Sequence, residues 1–98
     1  SLYHSKTNLN YKKSITLLEK YIKNDEFPSE AWHYLGLNYG KLKQLDLSSY
    51  AFAEKYLLVN ELDNARIHIN RAKKLSNDTI LLNKLNDLEY QINKRKSK

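Results

Sequence analysis

Residues 31–42 read Ala31-Trp32-His33-Tyr34-Leu35-Gly36-Leu37-Asn38-Tyr39-Gly40-Lys41-Leu42. Trp32, Leu35, Tyr39 and Leu42 recur at steps of three, four and three, which places them on one face of an α-helix. Pro28 precedes the stretch and forces Phe27 out of the helical region, so a helix starts just after it, with Ser29 as its N-cap. The spacing predicts a helix over residues 29–43.

The same period continues in both directions. Residues 8–24 place Tyr11, Ile15, Leu18 and Ile22 on one face. Residues 46–59 open at Asp46 and align Ser49, Phe52, Tyr56 and Val59. Residues 62–75 open near Asp63 and align Leu62, Ala65, Ile69 and Ala72. Residues 78–94 open at Asp78 and align Leu81, Leu85, Leu88 and Ile92. With 2 Gly and 1 Pro in the chain, little punctuates it as a hairpin-rich β protein would be punctuated. The fold class is therefore all-α, about five helices in a single domain over residues 1–98. Joints of a few residues make successive helices antiparallel neighbours.

Composition narrows the function classes. At 98 residues and 41% hydrophobic the chain can bury a modest core, despite a mean hydropathy of -0.75. No apolar run reaches the roughly 18 residues of a membrane span. Cys 0 removes disulfides and thiol chemistry. Met 0 and a start at Ser1-Leu2-Tyr3 lead to the expectation of a C-terminal piece of a longer protein. The net charge of +6 would suit a nucleic-acid partner. However, Lys is abundant together with Asn, Ile and Tyr, as AT-rich coding would produce, and the lysines are scattered. The one dense run, Lys94-Arg95-Lys96-Ser97-Lys98, is read as a frayed, solvated tail. Nucleic acid is thus set aside as the main partner.

The aromatic and small residues form a ladder. Trp32, Leu35, Gly36 and Tyr39 match Trp-x2-Leu-Gly-x2-Tyr, the first-helix spacing of tetratricopeptide (TPR) repeats, and the chain resembles that family. On a 34-residue repeat Phe52 takes the second-helix aromatic place, while Ser48 replaces the usual Ala. A second match has Ala53 and Tyr56 in the small and aromatic places of a first helix, followed by Ala65 and Ala72. The two matches are offset by 17 residues, half a repeat, so the third helix serves in both registers. The resemblance implies antiparallel hairpins stacked as a short right-handed solenoid, with the polar-backed last helix as its cap. In that reading Trp32, Leu35, Gly36, Tyr39, Phe52, Ala53, Tyr56, Ala65 and Ala72 are core. The concave, partner-binding places carry over as His33, Leu37, Gly40 and Lys41 in one register, and as Tyr50, Glu54, Leu57 and Leu58 in the other.

Residues 28–96 are also similar to the C-terminal end of bacterial periplasmic zinc metalloproteases of the β-barrel assembly-enhancing type. Four features carry this: the Trp-Leu-small helix after Pro28, the helix bearing Phe52 and Ala53, the run Leu62-Asp63-Asn64-Ala65, and the charged closing helix. The resemblance implies a periplasmic, client-recruiting region of a protease. Without it, the cytoplasm is the expected compartment.

Chemistry of its own is not written in the chain. His4, His33 and His68 lack the His-Glu-x-x-His spacing of a zinc site. Asp25-Glu26 and Asp87/Glu89 have no acid–base geometry. Gly36 and Gly40 lie in a helical pattern with no preceding strand, so they form no phosphate loop. The expectation is a non-enzymatic module with no cofactor, no metal and no small-molecule substrate, whose partner is a protein or peptide. Two alternatives are an integral lid over a protease and a basic helical-repeat RNA-binding protein.

Overall fold

The computed structural model describes residues 12–20 and 28–97, and every element among them is helical. Residues 12–20 form α1, followed by α2 (Pro28–Lys41), α3 (Leu45–Leu58), α4 (Leu62–Leu75) and α5 (Thr79–Lys96). The remainder of the predicted 8–24 helix, with Tyr11 and Ile22, lies outside the described residues, as does His4.

The helices are strictly periodic. α2, α3 and α4 are each 14 residues long, and α2 to α5 begin 17 residues apart. The joints explain the regularity. After α2, the Lys43 amide donates to the Gly40 carbonyl (3.0 Å) and the Gln44 amide to the Tyr39 carbonyl (2.9 Å). Seventeen residues on, Asn60 donates to Leu57 (3.1 Å) and Glu61 to Tyr56 (2.8 Å). Both joints are Schellman motifs, with Lys43 (φ 62°) and Asn60 (φ 61°) in the left-handed region. This ends α2 at Lys41 and α3 at Leu58, short of the predicted 43 and 59. Asn accepts that conformation readily, whereas Lys does so against its preference. A helix end at Lys41 is therefore hard to read from composition.

Helix starts also shift. Pro28 is itself the first residue of α2, where its missing N–H is harmless, so Ser29 falls inside the first turn rather than at the cap. Asp46 and Asp63 likewise sit in first turns, where negative charge suits the helix dipole. Asp78 does cap α5: its Oδ1 accepts from the Ile80 amide at 3.1 Å.

Packing distributes the helices unevenly. Ile15 of α1 joins one buried cluster with Leu35 of α2 and Ala51 of α3. A second cluster joins α5, through Leu81, Leu85, Leu88 and Ile92, to Ala53 and Leu57 of α3 and to Ala65, Ile69 and Ala72 of α4. α2 and α4 each pack on α3 but approach each other nowhere within 8 Å between Cα atoms. α3 is consequently enclosed on several sides, with Ser48, Ser49, Ala51, Ala53 and Leu57 all buried. The predicted Ser49/Phe52/Tyr56/Val59 stripe fails there, because a helix surrounded by neighbours has no single apolar face; Val59 is in fact exposed. The stripes of α4 and α5 hold: Ala65, Ile69 and Ala72 are fully buried, as are Leu85 and Ile92.

Small residues set the close approaches. A Cβ on Gly36 would meet the Phe52 ring at 2.9 Å. The buried Ser48, where the repeat pattern expects Ala, donates its hydroxyl to the Gly36 carbonyl at 2.7 Å. Gly40 differs: a Cβ there would meet only Ser48 Oγ at 3.5 Å, an ordinary contact. Gly40→Ala is therefore expected to stabilise the chain by about 0.5 kcal/mol by removing a glycine from the last turn of α2, read as a rise in the urea midpoint.

Within the basic tail, Arg95 and Lys96 are docked rather than frayed, and Lys98 lies outside the described residues. α5 runs to Lys96, past the predicted end at 94. Arg95 Nη1 donates to the Leu57 carbonyl at 2.9 Å, adding a cation to the C-terminus of α3. Lys96 pairs with Asp63, and Arg66 Nη2 donates to Asn93 Oδ1 at 2.8 Å.

Candidate functional site

Among the described residues, a cleft takes its walls from four helices. Glu19 of α1, Trp32, Leu35 and Tyr39 of α2, Leu47 and Tyr50 of α3, and the start of α5 through Ile80, Leu81 and Lys84 enclose about 160 Å³. Asp78 also lines it. Trp32 and Tyr50 meet edge to face, with centroids 5.6 Å apart and planes at 90°, a favourable aromatic geometry.

Two polar features mark the α3 wall. The Tyr50 hydroxyl donates to Glu54 Oε2 at 2.7 Å, one helical turn along, where residues four apart share a face. Burial pushes the Tyr50 phenol far up, reinforced by the Glu54 charge and by that bond, so the hydroxyl stays a donor. Burial also raises the Glu54 carboxyl, opposed by the Tyr50 hydrogen bond and by Lys84. The Lys84 ammonium lies 5.9 Å from the Tyr50 ring centroid, over its face. Tyr39 is raised by burial and then by the charge of Glu19.

The opposite side carries a shallower depression of about 370 Å³, lined by Ser29, Glu30, His33, Tyr34, Lys55 and Val59. Lys55 Nζ lies 3.3 Å from His33 Nδ1. His33, Phe52 and His68 follow one another at centroid separations of 5.8 and 5.6 Å, and His68 stacks on Tyr56 at 5.3 Å. His68 Nδ1 is buried without a hydrogen-bond partner. Burial, then Arg71 and Lys55, hold its pKa below the ordinary 6.5.

These two groups give opposite pH dependences. Because folded His68 resists protonation, the unfolded chain binds that proton first. Its contribution is complete above about pH 6.5 and is lost as pH falls from there to the depressed folded pKa. Glu54 is raised above 4.5, so its contribution is present below 4.5 and lost as pH rises through the folded pKa. The His68 part is isolated by His68→Phe: between pH 7 and pH 5.5 the urea midpoint of the native chain is expected to move downward relative to that of the variant, whose Glu54 part is unchanged.

The eight sequence-derived binding residues do not share one cavity. Tyr50 lines the cleft with Glu54 bonded behind it, whereas His33 lines the depression on the other side. Leu37 (45% exposed), Lys41 and Leu58 (51% exposed) line neither. Leu57, by contrast, is buried in the core, and Gly40 is half-buried beside Ser48. Of the residues assigned to the core, Leu35, Gly36, Ala53, Ala65 and Ala72 are buried. Trp32, Tyr39, Phe52 and Tyr56 are only half-buried, and the first two form cleft wall. Sequence reasoning missed Glu19, Leu47 and Lys84. The signal available was the 17-residue spacing, which brings alternate helices together, as the contact of α3 with α5 shows.

Among the described residues no group of His, Cys, Asp and Glu is placed to hold a metal ion, and no helix is long and apolar enough to cross a membrane. None of the protein-family models, curated proteins and solved structures compared with the chain matches it.

Proposed function

We propose that the chain is a protein-interaction module of TPR type, which receives a segment of a partner protein in the cleft between α1, α2, α3 and α5. The observation that carries this reading is the cleft itself, with its perpendicular Trp32–Tyr50 pair and a volume of about 160 Å³. That volume is below the roughly 300–1,000 Å³ of small-molecule sites. It suits one anchoring side chain, the usual core of a peptide interface. The 17-residue spacing of α2 to α5 supports the TPR reading, since two such units make a 34-residue repeat.

The test is a display library of short peptides selected against the chain, with every recovered peptide retested on Tyr50→Ala. Peptides that bind the native chain and lose binding to the variant support the proposal; a selection without cleft-dependent binders refutes it. The further proposal that this module belongs to a bacterial envelope zinc protease rests on the sequence resemblance alone. It is tested by sequencing the gene upstream of Ser1, where a His-Glu-x-x-His helix is expected and an array of further repeats alone would refute it.

A further inference from the structure

The cleft has a chemical bias that its aromatic lining alone does not explain. The chain carries a net charge of +6, yet the groups lining this cleft are two carboxylates, Glu19 and Asp78, and one base, Lys84. A third carboxylate, Glu54, lies behind Tyr50 and is held by its hydroxyl. The rings are set as two perpendicular planes, a corner in which a cation can lie against π faces.

The chain already shows what this corner accepts. Lys84 places its own ammonium over the Tyr50 face, with the Glu54 carboxylate near enough to feel its charge. Tyr39, Trp32 and Glu19 line the same cleft, and Lys84 is the one cation among the described residues that line it. Ring and carboxylate are thus paired twice along this lining, Tyr50 with Glu54 near Lys84 and Tyr39 within the field of Glu19.

We propose that the cleft selects a basic side chain, lysine or arginine, presented by a partner peptide, with Trp32 and Tyr39 giving the aromatic walls and Glu19 the counter-charge. This rests on the peptide-binding reading above and names the chemistry of its partner. The net positive charge of the whole chain opposes approach of a basic peptide, but at physiological ionic strength that field is screened beyond about 8 Å. Inside the cleft the local carboxylates dominate. Lys84 acts against the guest, as a cation that already lines the same cleft.

The experiment uses Trp32 as reporter, because it is the only tryptophan in the chain. Three unstructured peptides of equal length, one rich in Lys and Arg, one in Glu and one in neutral residues including Leu, are titrated into the intact chain while Trp32 fluorescence is followed. A saturable change is expected with the basic peptide alone. Glu19→Gln, at an exposed position, should weaken it about three- to ten-fold. Lys84→Gln, also exposed, should tighten it by a few-fold. This opposite response is one that a merely structural role of either residue would not produce. Equal or better binding of the neutral or acidic peptide overturns the cation assignment and leaves the peptide-binding reading standing. No saturable response to any of the three overturns both.

Discussion

Leu85→Ala should destabilise the chain by about 2–5 kcal/mol, towards the upper end of that range. Leu85 is fully buried at the middle of α5, in the cluster that also holds Leu81, Leu88 and Ile92. Beside Leu57 and Ile69, α3 and α4 give this cluster three alanines, Ala53, Ala65 and Ala72, none with any exposure. Those alanines have no atoms to spare for filling the gap, and α5 is tied to α3 and α4 at its C-terminal end. Arg95 bonds there to the Leu57 carbonyl and Lys96 to Asp63. A helix held in this way settles less readily into the cavity, and cavity volume sets the cost of such substitutions. For a chain of this size the loss is a large fraction of total stability, commonly about 5–15 kcal/mol. Equilibrium urea unfolding followed by circular dichroism measures it. A loss below about 1 kcal/mol would mean that α5 is not part of the cooperative core.

Gly36→Leu is the second large effect, at about 1–3 kcal/mol. Even a bare Cβ at this position meets three atoms of the Phe52 ring at 2.9–3.0 Å, closer than carbon atoms pack at their optimum of about 3.5–4.0 Å. The ring cannot swing away freely, because it lies between His33 and His68 at 5.8 and 5.6 Å. The backbone cannot yield without loosening the buried Ser48 bond to the Gly36 carbonyl. The diagnostic is a double-mutant cycle with Phe52→Ala. Removal of the ring should recover most of the loss caused by Leu at position 36, giving an interaction energy of about 1 kcal/mol or more. Independent, additive losses would show that the strain lies elsewhere. Gly36 and Gly40 are one turn apart and both glycine, yet substitution is expected to destabilise at the first and stabilise at the second.

The helical class was open to reading because the 3.6-residue period of α2, α4 and α5 is strong, and Asp78 is a cap of ordinary type. The helix ends after α2 and α3 were not. A Schellman turn usually announces itself by glycine, and here Lys43 and Asn60 stand in its place. The pattern of α3 misled for a different reason: periodicity reports a boundary between core and water, and α3 has neighbours on several sides. The site was half legible. Tyr50 and Glu54 follow from the second repeat register, and the structure places them together. His33, Leu37 and Lys41 follow from the first register, which uses α2. Helix α2 shares with α4 the property of touching α3 without touching its own counterpart, so its side chains do not all turn towards the cleft. Trp32 and Tyr39 were assigned to the core because size and spacing cannot distinguish a residue packed on all sides from one that forms the wall of a cleft.

The single-helix spacing has a bearing on how such a chain can lengthen. A tandem duplication of 17 residues adds one helix with its own turn and leaves every local hydrogen bond as it was, so it is locally free of strain. It nevertheless changes the parity of everything downstream: helices that touched their alternate neighbours would take the place of helices that do not, and each anchored side chain would move to the opposite flank. A duplication of twice that length restores parity. Growth in pairs is then a selection rule imposed by the flank a side chain occupies rather than by the stability of the added helix, and an odd-numbered insertion should leave the fold intact while abolishing the cleft.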